Sequence, residues 1–372
     1  MDFDIGRSEF LEGLAPTQGV VEKRNTMPIL SNVLIEPVEG GISVLATDLD
    51  VGVVRKCRAT VKGSDRISVN ARKLYEIVRD APDEAVRVRG LENLGIEVVS
   101  GRFRTKLLGL DPKEFPSVPG LTAKPAKGAV TLLAKTSLLN RMIETTIFAV
   151  SMDETRFNLS GVYVERHDEL LRMVATDGHR LALVDGEVDG KGPDKGVILP
   201  RKGLAEVKKL LDSSSDETVS MLVDGPVAKI MFGNGEFFMR LVDGEFPDYR
   251  QVIPKSTHSK ILLDREAFLA ALRRVSILSS ERARGVKVSI QPGTLKVETA
   301  NPDLGEAAEE MEIGHTGDTL SIGFNARYLI EALTVMQDCE KVELGVSDDV
   351  SPGTLRSEGD ERYSYVVMPM RL

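Results

Sequence analysis

Residues 174–183 read VATDGHRLAL, and five consecutive positions place Thr176, Asp177, His179 and Arg180 around one glycine. An acid, a base and a cation so close together could do acid–base chemistry, and a phosphoryl-handling enzyme is the reaction class they would suit. Such chemistry also needs a nucleophile, a metal or a phosphate loop. The four histidines are His167, His179, His258 and His315, and none falls in an HxH or HExxH spacing. There is no GxSxG elbow, no Walker A loop and no GxGxxG after a first strand. The sequence therefore predicts no catalytic residue, no metal and no cofactor. GNGEF (233–237) reads as a hairpin turn.

The elements that must position this segment come in threes. ISVLATDLDVGV (42–53), LRMVATDGHRLAL (171–183) and LKVETANPDLGEA (295–307) each run from an alternating strand into a polar turn and another strand. Helical patterns follow each: NARKLYEIVRDA (70–81), PRKGLAEVKKLLD (200–212) and NARYLIEALTVM (325–336). Leu74, Ile77, Val78 and Ala81 mark one face of the first, and Leu329, Ala332, Leu333 and Met336 one face of the third. Shorter helices open the units, with Leu11, Leu139 and Leu269 at matching places, and EFPSV (114–118) and EFPDY (245–249) close the first two. The reading is three units, each ordered strand, helix, four strands, helix, three strands. The fold class is α+β, with domains at 1–125, 126–256 and 257–372 and linkers near 120–128 and 253–260. Thr176 and Asp177 recur as TD at 47–48, so they read as turn formers bonding nearby backbone. His179 and Arg180 do not recur. They point to a site carried by the middle unit alone, and to binding rather than catalysis.

Composition sets the class. The chain has 372 residues, 42% hydrophobic and 28% charged, with 5% aromatic and no Trp, so its cores must be aliphatic. No apolar run approaches the roughly 20 residues of a membrane helix. The first ten residues carry no signal-peptide pattern, and Cys57 and Cys339 stand alone, which together predict a reduced, cytoplasmic protein with no membrane partner. The net charge of −9 argues against an ordinary nucleic-acid binder. Its distribution argues otherwise. Helices expected at 7–15, 71–81, 135–147, 201–212, 264–275 and 325–338 hold 14 basic and 11 acidic residues, leaving 34 basic and 46 acidic elsewhere. Arg72, Lys73, Lys202, Lys208, Arg273 and Arg274 supply much of that excess. Scatter on solvated helix faces is one reading; a mildly cationic surface that holds a polyanion loosely is the other.

The segments RNTMPILSNVLIE (24–36), ATDGHRLAL (175–183), LVDGEFPDYRQVIP (241–254), IGFNARYLIEAL (322–333) and YVVMPMRL (365–372) resemble the bacterial sliding clamps, the beta subunits of DNA polymerase III. The likeness runs essentially end to end. It implies a head-to-tail homodimer, a ring of six domains around duplex DNA, with helices lining the hole. Its partners would be the polymerase catalytic subunit, the clamp loader, other polymerases and repair proteins. They would dock through short peptides of the Gln-x-x-Leu-Phe kind. Carried over, the peptide pocket comprises Leu159, Thr176, Gly178, His179, Arg180, Leu181, Pro247, Val252, Asn325, Tyr328, Val350, Val366, Val367, Met368, Pro369, Met370, Arg371 and Leu372. DNA would meet Arg24 and Phe157 besides the helical cations. Ring closure would use Leu107, Ile277 and Leu278, unless these are simply buried in their own domains. Gln251 and Ala283 depart from common clamp residues, and Asn158 stands where some clamps have tyrosine. The competing readings are the enzyme above and a monomeric repeat scaffold that binds peptides without encircling DNA.

Overall fold

The computed structural model describes every residue except 22–26, 119–127, 154, 191, 194, 281–283 and 372. Arg24, Ala283, Leu372 and nearly all of the first expected linker lie outside the described residues. The threefold order holds for the main elements, with a short helix Thr17–Val20 and short strands Thr60–Lys62 and Asp189–Gly190 added to it. The first repeat runs Asp2–Gly6, helix Arg7–Leu14, strands Asn32–Val38, Gly41–Thr47, Val51–Arg58 and Ile67–Asn70, helix Ala71–Arg79, then strands Ala85–Gly90, Ile96–Ser100 and Phe103–Leu107. The second pairs helices Thr136–Ile147 and Arg201–Ser213 with four main strands and the two-residue strand Asp189–Gly190 between them, and three strands after. In the third, helices Arg265–Val275 and Ala326–Val335 bracket Gly285–Gln291, Thr294–Asn301, Gly305–Glu312 and Leu320–Asn325. Each helix lies within three residues of its expected bounds.

Local chemistry explains these bounds. Asn70 accepts the Lys73 N–H at 3.0 Å, Asp264 that of Ala267 at 2.7 Å and Asn325 that of Arg327 at 3.0 Å, so three helices start on side-chain caps. Leu74, Val78, Ala81, Leu329, Ala332, Leu333 and Met336 are buried and Ile77 is half-buried, so the two expected faces turn inward. Among the described residues, no helix is long and apolar enough to cross a membrane.

The chain forms two compact units that do not follow the repeats. One contains Met1–Asn140, Val188–Pro193 and Lys202–Leu241; the other contains Arg141–Glu187, Asp194–Arg201 and Val242–Leu372. The reason is strand pairing. In the first unit, Gly235–Arg240 of the second repeat pairs with Val51–Arg58 of the first, making one nine-stranded sheet. In the second unit, Tyr363–Val367 of the third repeat pairs with Arg180–Glu187 of the second, making an eight-stranded sheet. Backbone hydrogen bonds thus cross each repeat junction and divide the middle repeat. The first unit also holds a five-stranded sheet with Thr60–Lys62 and Phe103–Leu107 at its edges, and the second a four-stranded sheet with Gly305–Glu312 and Leu320–Asn325 at its edges.

Candidate functional site

The segment that looked catalytic is a tight turn. The buried Thr176 hydroxyl donates to the Arg180 carbonyl and accepts the Gly178 N–H at 3.1 Å. The Asp177 carboxylate accepts the N–H groups of His179 at 2.9 Å and Arg180 at 3.1 Å. Gly178 has φ +88°, a region costly for other residues. The first repeat builds the same turn. Thr47 donates to the Val51 carbonyl at 2.9 Å, and Asp48 accepts from Asp50 and Val51 at 3.0 and 2.7 Å. Leu49 there takes φ 85°. Asp177 is therefore committed to backbone and to Arg180, and it does not orient His179 as a base.

Arg180 is a buried clasp. Its side chain is 5% exposed. Nε donates to Asp177 at 3.0 Å, Nη1 to Glu331 and Nη2 to the Phe148 carbonyl at 2.7 Å. The guanidinium also lies 4.5 Å from the Tyr328 ring centroid and 5.3 Å from that of Phe148. Burial opposes its charge, but Tyr365, Glu331 and Asp177 outweigh that and hold its pKa above the ordinary value. At Glu331 burial raises the pKa, yet bonds from Arg327, at 2.6 Å, and Arg180 bring it below 4.5. The clasp thus ties the turn to helix Ala326–Val335, through Glu331, and to the turn at Phe148, just past helix Thr136–Ile147.

Arg180→Ala strands a carboxylate and a carbonyl, and should cost about 3–5 kcal/mol. An exposed pair such as Arg72 and Glu76 is screened by solvent and contributes far less. Urea unfolding of Arg180→Ala beside Arg72→Ala measures the difference, and equal small losses would reject the clasp. The sign with pH follows from Glu331. A depressed carboxylate pKa gives stability that is complete above 4.5 and lost as pH falls through the lower folded value. The stability gap between the unaltered protein and Glu331→Gln should therefore narrow in acid.

Beside this turn lies a cavity of about 190 Å³. Leu159, Leu181, Val252, Val366 and Met368 give it apolar surface, Thr176, Gly178 and Arg180 form one wall, and Pro247 closes another side. Val252 and Met368 stay 43% and 38% exposed, so greasy surface is already presented at the mouth. Nine of the expected pocket residues converge here. The others sit differently. His179 is exposed beside the cavity, its ring near-parallel to Tyr328 at 6.5 Å. Asn325 caps a helix through its side-chain oxygen. Val350, 65% exposed, tips a turn held by Asp348. Val367 is fully buried because strand alternation turns it to the face opposite Val366. Pro369 and Met370 are half-buried, Met370 donating its N–H to the Gly323 carbonyl at 2.9 Å, and Arg371 is exposed.

Two lining residues, Asp248 and Tyr249, escaped the sequence reading. Tyr249 is 3% exposed and donates its hydroxyl to Glu165 at 2.6 Å. Glu165 also accepts from Arg250 at 2.6 Å, and Arg172 makes two bonds to Asp185 at 2.7 and 2.6 Å. Burial pushes the Tyr249 phenol up to about 12, so it stays a neutral donor beneath the cavity. The signal was available: EFPSV and EFPDY recur, and a tyrosine replaces Val118 only in the second.

Models of the DNA polymerase III beta subunit match the chain in three parts: its N-terminal domain at 1–119, its central domain at 134–248 and its C-terminal domain at 250–371. The beta sliding clamp of Pseudomonas putida is 37% identical over 374 residues, covering 100% of both chains. The chain belongs to the beta sliding clamp family. The clamp of Caulobacter vibrioides is also 37% identical over 382 residues, with 100% of each covered. The crystal structure of the Bartonella birtlesii clamp bound to griselimycin superposes with a TM-score of 0.93 at 37% identity, covering 100% of each chain. The clamp family is a non-catalytic one, in keeping with a turn that leaves its carboxylate no base to orient.

The remaining clamp residues singled out in the sequence fall in two sets. Arg72 and Lys73 both pair with Glu76 at 3.1 and 2.7 Å, and Lys208 pairs with Asp212 at 3.0 Å. Lys202 meets Asp48, and Arg273 donates to Thr334 at 3.4 Å. Arg274 bonds Glu309 on the outer strand Gly305–Glu312 at 2.8 Å, which turns it toward the sheet edge. Phe157 is 59% exposed, while the Asn158 amide donates to the Glu245 carbonyl at 3.0 Å. In the second set, Ile277 is 73% exposed, and Leu107 and Leu278 are half-buried, so none is buried within its own domain. Leu108, 82% exposed, and Phe103, 40% exposed, lie beside Leu107 on the same edge.

Proposed function

We propose that this chain pairs head to tail with a second copy into a ring around duplex DNA. The ring tethers the replicative polymerase, clamp loader and repair proteins by peptides seated at Leu181 and Met368. The supporting observation is the pairing rule at the junctions. In both, the last strand of one repeat adds to the strand Val51–Arg58, or its counterpart Arg180–Glu187, of the repeat before. By the same rule Phe103–Leu107 needs a counterpart to Val51–Arg58, and that counterpart is Gly305–Glu312. Both are outer strands in this chain, so the second copy supplies each partner. Their charges are complementary, with Arg102, Arg104 and Lys106 on one and Glu306, Glu309, Glu310 and Glu312 on the other. The domains are then 1–125, 126–256 and 257–372, and the location is cytoplasmic.

DNA is held by topology. Arg72, Lys73, Lys208 and Arg273 are largely engaged with neighbours near the surface, where such pairs exchange readily for phosphate, while Lys202 is tied to the buried Asp48 carboxylate. Direct affinity should be weak and steeply salt-dependent. Clamp loaded on a nicked circle should remain, and it should leave within minutes once the circle is cut. Equal loss from both forms, followed by gel filtration, would rule out encirclement. The griselimycin-bound Bartonella birtlesii clamp favours the peptide reading, and griselimycin should displace a labelled peptide here.

A further inference from the structure

The cavity beside Arg180 belongs to the junction of the second and third repeats, and the first junction is built on the same register. Thr176 faces Leu181 and Leu181 pairs with Val366; Thr47 faces Gly52 and Gly52 pairs with Phe238. The alignment extends beyond these pairs. Met368 donates its N–H to the His179 carbonyl at 2.9 Å, and Arg240 donates to that of Asp50 at 2.7 Å. Gly52 and Phe238 therefore stand where the cavity has Leu181 and Val366. A Cβ on Gly52 would fall 1.9 Å from Phe238 Cζ and 2.4 Å from Cε1, so the ring lies directly over the glycine. Phe238 is 3% exposed and packs in one cluster with Leu30 and Phe115, the positions matching Leu159 and Phe246, with Val118 against it.

The geometry points to a second peptide cleft, present at the first junction in closed form and shut by the Phe238 ring seated on Gly52. This pair limits each chain to one apolar peptide. The chemistry is steric. The aliphatic pair Leu181 and Val366 lines a cavity that a Leu-Phe side-chain pair can enter. The first junction instead fills that volume with its own aromatic ring, removing the glycine side chain to make room. Glycine here is required by close approach. The inference rests on the peptide reading above.

The test is calorimetric titration of the dimeric protein with the peptide Gln-Ala-Ala-Leu-Phe, alongside sedimentation and circular dichroism. The unaltered protein should bind one peptide per chain. Gly52→Leu with Phe238→Val should bind two. The reverse exchange, Leu181→Gly with Val366→Phe, should weaken binding by about 30-fold or more while the ring stays folded. One peptide per chain in the first double variant, or undiminished affinity in the folded second, overturns the inference while sparing the peptide reading. No binding by the unaltered protein overturns both. Xenon-pressurised crystals of the unaltered protein test the same point without substitution. Xenon should enter beside Leu181, and xenon beside Gly52 would overturn the closed cleft.

Discussion

Replacing Ile277 with Asp and Leu278 with Ser is expected to yield a folded monomer. Ile277 is 73% exposed at the end of helix Arg265–Val275, and the 3₁₀ turn that carries it, Ser276–Leu278, packs beside the outer strand Gly305–Glu312. An isoleucine or leucine fully buried on association contributes about 1.5–3 kcal/mol, and a ring of two chains contains two such interfaces. Burying an aspartate opposite the partner adds a further penalty, since the strand Gly305–Glu312 is already acidic. Light scattering should report about 40.6 kDa in place of twice that mass. The monomer should still bind peptide, because every lining residue lies within one compact unit. A double variant that stays dimeric refutes the interface assignment.

Deleting residues 368–372 should abolish peptide binding and leave the ring intact. The strand Tyr363–Val367 ends before the deletion, so the eight-stranded sheet keeps its pairing with Arg180–Glu187. What disappears is the Met368 side chain at the cavity mouth and the tail that Met370 pins to the Gly323 carbonyl. A flexible methionine packed on an apolar ligand is worth about 1.5–3 kcal/mol, roughly 10- to 150-fold in affinity, before the rest of the tail is counted. His179→Ala should be milder. Its ring faces Tyr328 beside the cavity, and losing one contact of about 1–2 kcal/mol weakens binding roughly 5- to 30-fold. Fluorescence anisotropy with a labelled Gln-x-x-Leu-Phe peptide measures both. Unchanged affinity in the truncated dimer would sink the pocket.

The periodicity of helices and strands was legible because it is local. Leu74 and Val78, or Leu329 and Leu333, mark a buried face by spacing alone. The turn at Thr176 was legible because the first repeat carries the same two residues without the histidine. Strand partners were not. Alternating segments such as Arg180–Glu187 look alike from either edge, and nothing in them names Tyr363–Val367 as the neighbour. The clasp was hidden for the same reason, since Glu331 stands 151 residues from Arg180. Val367 was a different kind of miss. Strand parity already separates it from Val366, whereas the family likeness named the whole terminus. The pairing of Arg72 with Glu76 and of Lys208 with Asp212 was visible at four-residue spacing, and counting net charge passed over it.

Sheets that run through the junctions also bear on what a repeat could do alone. A single repeat cut from the middle of this chain would carry two bare strand edges where Gly235–Arg240 and Arg180–Glu187 now find neighbours. Such edges drive self-association. An isolated middle repeat should therefore pair with copies of itself through those two edges.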